Sequence, residues 1–162
     1  MTGGIALPSP GESCESGTAV LPGVQLFHDA GAHPPVFAGQ TGGALRFRTG
    51  ATDAGYVSFV AELQSDQTAQ FRVGVFLTID LYISAEPARP VYIRAYFANE
   101  SGDTELNDLI VLKEGPRTVR FNLDGLRIPL DVRTDVWVHV ILADPANVEL
   151  SLRRFEISVV EQ

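Results

Sequence analysis

Tyr92, Arg94 and Tyr96 stand two residues apart in the run VYIRAYF. In an extended strand successive side chains point to opposite faces, so residues two apart share one face. Two phenol rings and a guanidinium therefore lie on one side, with Val91, Ile93, Ala95 and Phe97 on the other. The same parity in VWVHVIL sets Trp137 and His139 against Val136, Val138 and Val140. In FRVGVFLTIDLYIS it sets Phe76, Asp80 and Tyr82 against Leu77, Ile79, Leu81 and Ile83. If these strands share a sheet, they make a surface of flat rings edged by a guanidinium, an imidazole and a carboxylate. A sugar ring has apolar C–H faces and a rim of hydroxyls, and such a surface meets both. Tyr82, Tyr92, Tyr96 and Trp137 are the candidate stacking groups. Arg94, Asp80 and His139 are the candidate hydrogen-bonding groups. The bland alternative is that the rings only pack across strands.

Other chemistries find less support. The stretch NESGDTELND carries Glu100, Asp103, Glu105 and Asp108, oxygen donors of the kind calcium takes. It lacks the spacing of an EF-hand loop, and Gly102 sits where a hairpin turn needs a glycine. It reads as a solvated turn. His28 and His33 are five apart in a segment rich in Gly and Pro, and His139 lies alone on a strand, so no metal set emerges. No GxSxG motif, Cys–His pairing or glycine-rich phosphate loop is present. Asp80 and Glu62 are carboxylates a glycosidase would need in a pair, and Tyr92, Arg94, His139 and Asn122 are residue types used by jelly-roll lyases. Nothing in the spacing singles out either set, so no catalytic residue is assigned. Cys14 is the single cysteine. With no basic neighbour to lower its pKa, it reads as inert.

The elements that must position these groups are strands. From Gly43 onward the chain alternates densely, through GALRFRTG, GYVSFVAEL, the runs above, VRFNL and VELSLRRFEISVV. The alternation slips at Arg153–Arg154, as at a β-bulge. AEPARP, KEGPRT and DPAN are breaks, and DGLRIPLDVRTD is a longer crossing. Residues 1–42 are rich in Gly, Pro and Ser, with only VQLFHDA able to form a short strand. The expectation is an extended, partly disordered arm over 1–42 and a β-sandwich domain over 43–162. About eight strands with no amphipathic helix indicate an all-β fold, an antiparallel β-sandwich, and the long crossings favour a jelly roll.

The chain has 162 residues and a formal net charge of −8. Nucleic acids and anionic membranes are bound by Lys and Arg, so neither is an expected partner. The amino end lacks the basic and apolar regions of a signal peptide, which predicts a cytoplasmic protein or a module cut from a secreted one.

The series "apolar strand, Lys-Glu-Gly, Arg-Thr-Val-Arg-Phe-Asn-Leu", followed by VWVHVIL and LRRFEISVV, resembles carbohydrate-binding modules with the galactose-binding-domain-like jelly roll. The resemblance spans about residues 43–160. It implies a non-catalytic sugar-binding module that needs no cofactor. Such modules often carry a structural calcium near an Asp-bearing final strand, and Glu156 falls in that neighbourhood. The expected partner is a carbohydrate. The alternatives are a structural or protein-interaction domain, including a homo-oligomer, and a polysaccharide lyase or hydrolase acting on a concave sheet.

Overall fold

Runs of Val, Ile, Phe, Tyr and Thr with apolar residues two apart suit a pleated sheet with one buried face. The structure, a computed structural model, describes residues 5–63, 75–125 and 134–161. Within them the strands in chain order are β1 (Thr18–Leu21), β2 (Val24–His28), β3 (Val36–Thr41), β4 (Ala44–Arg48), β5 (Val57–Leu63) and β6 (Val75–Glu86). They continue with β7 (Arg89–Asn99), β8 (Gly102–Leu112), β9 (Arg117–Asn122), β10 (Asp135–Leu142) and β11 (Glu149–Glu161). One sheet runs β1-β2-β5-β10-β7-β8 and the other β3-β4-β11-β6-β9, with antiparallel pairing throughout. This is the expected antiparallel β-sandwich of the jelly-roll kind.

The alternation read from the sequence is the alternation of burial. Val91, Ile93, Ala95, Phe97, Val136 and Val138 are fully buried on the inner face of the six-stranded sheet. Leu77, Ile79, Leu81 and Ile83 meet them from the five-stranded sheet. Phe47 on β4 ties the layers together: its ring lies 5.6 Å from Phe37 on β3 and 5.7 Å from Phe59 on β5 in the facing sheet. The slip expected at Arg153–Arg154 is a register shift between Leu152 and Arg154 on β11.

The segment 1–42 differs from the expected arm. It carries β1, β2 and β3, which join both sheets, and Cys14, Val20, Val24, Leu26 and Phe37 lie in the common core. Before β1, Gly11 N–H donates to Phe37 O and Phe37 N–H to Glu12 O, so this stretch is also tied to β3. The strands are short and their Gly and Pro neighbours mask the alternation. Among the described residues, β2 and β3 pair with strands that follow residue 43. Met1–Gly4, where disorder was also expected, lie outside the described residues, as do 71–74 of the long apolar run and 126–133 of the crossing.

The acidic stretch differs too. The turn is confined to the residues before Gly102, whose φ is 127°, and Asp103, Glu105 and Asp108 already belong to β8. An edge strand accommodates carboxylates because its side chains reach water, and charge there discourages pairing with other chains.

Two aspartates clasp the loop after β2 to the loop before β5. Asp53 accepts the backbone N–H groups of Gly31, Ala32 and His33 at 3.0–3.1 Å. Asp29 accepts those of Gly55 and Tyr56 at 2.7 and 3.3 Å. A β-carbon at Gly31 would stand 3.2 Å from the Asp53 carboxylate, which leaves little room for any other residue there. The three donated hydrogen bonds hold the Asp53 carboxyl down at about 2, from an ordinary value of 3.8. A carboxyl with a depressed folded-state pKa contributes stability above its unfolded pKa and loses it as pH falls through the folded one. Asp53→Ala is therefore expected to lower the melting temperature at neutral pH. The gap to wild type should close between about pH 4 and pH 2, as read by circular-dichroism melts across that range.

Candidate functional site

β10 lies between β5 and β7, and its outward residues fall into rows with theirs. Trp137 stands opposite Glu62 and Tyr96, His139 opposite Val60 and Arg94, and Ile141 opposite Ser58 and Tyr92. β8 continues the rows with Glu105, Asn107 and Leu109. On the other side β2 places Gln25 beside Val60 and Phe27 beside Ser58. The outward face of the six-stranded sheet thus presents an acidic and aromatic row, a central polar row and an apolar row.

This face is the floor of a groove of about 1020 Å³. Tyr96, Arg94, Trp137, His139 and Ile141 line it from β7 and β10, and Ser58, Val60 and Glu62 from β5. Ala19, Leu21, Gln25 and Phe27 of β1 and β2 form one flank, with Tyr56 and Ile5 beside them. The size is that of a small-molecule site rather than a packing defect.

The polar groups are oriented by one another. The Tyr96 and Trp137 rings lie 5.8 Å apart and tilted by 37°. Tyr96 donates its hydroxyl to Asp103 Oδ2 at 3.0 Å, and this bond raises the phenol pKa. Arg94 Nε donates to Asn107 Oδ1 at 3.1 Å and lies 3.4 Å from Glu105 Oε2. His139 is half-buried. Burial lowers its pKa first, and the adjacent Arg94 charge lowers it further. The imidazole is therefore neutral at physiological pH, with one nitrogen to donate and one to accept.

Of the residues singled out in the sequence, Tyr92, Arg94, Tyr96, Trp137 and His139 come together on this face. Tyr92 stands at its edge beside Leu109, and the other four line the groove. Asp80 and Tyr82 do not join them, because β6 belongs to the other sheet. There Asp80 accepts the Thr118 hydroxyl at 2.8 Å, and the Arg153 guanidinium lies over the Tyr82 ring at 5.3 Å. The same separation splits the carboxylates Asp80 and Glu62, and removes Asn122 on β9 from Tyr92, Arg94 and His139. Neither enzyme-like set is assembled.

Residues the sequence reading missed are those of the near flank and floor: Gln25, Phe27, Tyr56, Ser58 and Val60. Alternation in VQLFHDA and YVSFVAEL places them on one face, but their sheet neighbours come from distant segments.

The remaining candidates are structural. His28 Nε2 donates to Cys14 O at 2.7 Å, while Nδ1 accepts the Ala30 N–H at 3.1 Å, so both ring nitrogens are used within the fold. Cys14 is buried, which pushes its thiol up to about 11, as suits an inert cysteine. Glu156 is exposed on β11 opposite Asp80, and two carboxylates facing one another on an open sheet do not make a calcium cage. Among the described residues no group of three or more His, Cys, Asp or Glu side chains is placed to hold a metal ion.

The coupling between Arg94 and His139 is measurable. Arg94→Ala should raise the His139 pKa by removing the repelling charge, and Glu105→Gln should lower it by removing the attracting one. Both shifts are read by NMR titration of the imidazole protons.

No protein-family model and no curated protein sequence matches this chain. Among solved structures it is similar to the Family 11 carbohydrate-binding module from Clostridium thermocellum in complex with a β-1,3-1,4-mixed-linked tetrasaccharide. The TM-score is 0.51 at 16% identity, over 93% of this chain and 97% of that one. It is similar to the Family 11 module of the cellulosomal cellulase Lic26A-Cel5E of Clostridium thermocellum, with a TM-score of 0.52 at 15% identity over 96% and 98% of the two chains. The enzymatically active domain of tailspike protein 4 of bacteriophage CBA120 is similar over 85% of this chain but 19% of its own, with a TM-score of 0.53 at 6% identity. The resemblance expected from the sequence is met at the level of the fold: the chain has the jelly-roll β-sandwich of solved carbohydrate-binding modules.

Proposed function

We propose that this chain is a non-catalytic carbohydrate-binding module whose ligand lies in the groove on the six-stranded sheet. The observation that carries the reading is the meeting of Tyr96, Trp137, Arg94 and His139 in one open groove. The rings offer platforms to the apolar faces of sugar rings, and the imidazole and guanidinium offer donors and an acceptor to hydroxyls. The fold shared with solved modules supports the same reading, while a fold by itself hosts many functions.

The ligand is an uncharged glycan. Arg94 is the groove's guanidinium, and its charge is already met by Glu105. Glu62, which lines the same groove, would repel a uronic acid or a sulfated sugar. A neutral His139 adds hydrogen bonding without charge. Affinity is modest, because an open groove orders a flexible chain while leaving one side of it in water.

Trp137→Ala is expected to abolish retention on a gel containing a neutral β-glucan, with a loss of affinity of at least about ten-fold. The circular-dichroism spectrum should stay that of the wild type, because Trp137 points away from the core. Retention of Trp137→Ala equal to wild type would refute the assignment of the groove. Failure of the wild type to bind any glycan in a neutral and acidic panel would refute the carbohydrate reading itself.

A further inference from the structure

Among the described residues the exposed large hydrophobic side chains are Tyr92, Leu109 and Val111, at 49%, 56% and 46% exposure. They form one patch. Tyr92 stands opposite Leu109, and Val111 stands opposite Pro90 at the next outward position along the same two strands. Apolar groups gathered in one exposed patch mark an interaction site far more often than singly scattered ones do.

The patch continues the groove. The apolar row runs from Phe27 and Ile141 in the groove to Tyr92 and Leu109 on the shoulder. The polar row beside it likewise continues from His139 and Arg94 to Asn107 on β8. A chain lying across the strands would keep an apolar strip under one flank and hydrogen-bonding groups along the other as it left the groove.

Strand pairing with a second copy is less suited to this place. The backbone N–H of Leu109 is taken by the Asp108 carboxylate at 2.8 Å, and the carbonyl of Val111 by Arg117 Nη1 at 2.9 Å. These groups, next to the exposed side chains, are closed to an incoming strand, whereas the outward face stays open.

We propose that the shoulder formed by Tyr92, Leu109 and Val111 is a second subsite, which holds further sugar rings of the same uncharged glycan that occupies the groove. This rests on the carbohydrate reading of the groove and adds the direction and length of the ligand. The bound chain crosses the strands, exits over Tyr92 and ends beyond β8. With adjacent strands about 4.8 Å apart, the six strands span about 24 Å, so a short oligosaccharide fills the groove without reaching the shoulder.

The test is isothermal titration of β-1,3-1,4-mixed-linked oligosaccharides, from disaccharide to octasaccharide, against wild type and the Leu109→Thr/Val111→Thr variant. Threonine keeps the strand preference and removes apolar area. Wild-type affinity should go on rising for the longest chains. The variant should lose about ten-fold on those chains, with short-chain affinity and melting temperature unchanged. An equal length dependence in the two proteins would overturn the subsite while leaving groove binding intact. A wild-type dimer in analytical ultracentrifugation that the variant dissolves would overturn it in favour of self-association. Absence of binding at every length, in this series and on the wider glycan panel, would overturn it together with the carbohydrate reading.

Discussion

β10 is held between β5 and β7 in continuous register, and its inward valines, Val136, Val138 and Val140, are buried between the sheets. This pairing is the constraint from which the candidate site follows. Side chains alternate with a period of two, so a slip of one residue would turn the valines to solvent and press Trp137 and His139 into the core. Each buried valine opposes that slip with about 1.5–3 kcal/mol of transferred surface. The core therefore sets the outward face: once the valines are placed, Trp137 must meet Tyr96 and His139 must meet Arg94. The groove's chemistry is a by-product of hydrophobic register.

Much of this logic was legible in the sequence. The inward sets on β4, β6, β7, β9 and β10 follow from alternation alone, and so does the bulge at Arg153–Arg154. Legibility stopped where position depends on which strands become neighbours. Asp80 and Tyr82 share the outward parity of β6 just as Tyr92 and Arg94 share that of β7, and the two strands are adjacent in sequence. The break between them sends β7 to the opposite sheet, so local parity was right and the grouping was not. A run of side chains specifies which way each residue faces relative to its own strand. It carries no statement about which sheet the strand enters, since that is settled by long-range pairing.

The amino-terminal segment illustrates the opposite failure. Short strands with glycines at positive φ, among them Gly17, Gly23 and Gly39, have too few alternating residues to stand out from loop composition. They are stabilised by what they join. β2 and β1 complete one sheet beyond β5, β3 completes the other beyond β4, and the Asp29 and Asp53 clasps fix the chain between β2 and β3. The same segment supplies the flank of the groove, so a feature hidden from composition turns out to shape the site.

The electrostatics of the groove follow a single pattern. The chain carries a net charge of −8, yet the centre of the groove is close to neutral, because Arg94 is met by Glu105 and burial keeps His139 uncharged. The acidic excess lies elsewhere, some of it on β8, where Asp103 and Glu105 orient Tyr96 and Arg94 and Asp108 closes a backbone donor. One strand thus does three things with its carboxylates: it aims the groove's polar groups, cancels their charge, and guards a sheet edge that would otherwise invite another strand. A carboxylate-rich edge strand beside a groove whose guanidinium is already paired disfavours anions at that face. For that reason the acidic stretch, read in the sequence as only a turn, belongs to the physics of the candidate site.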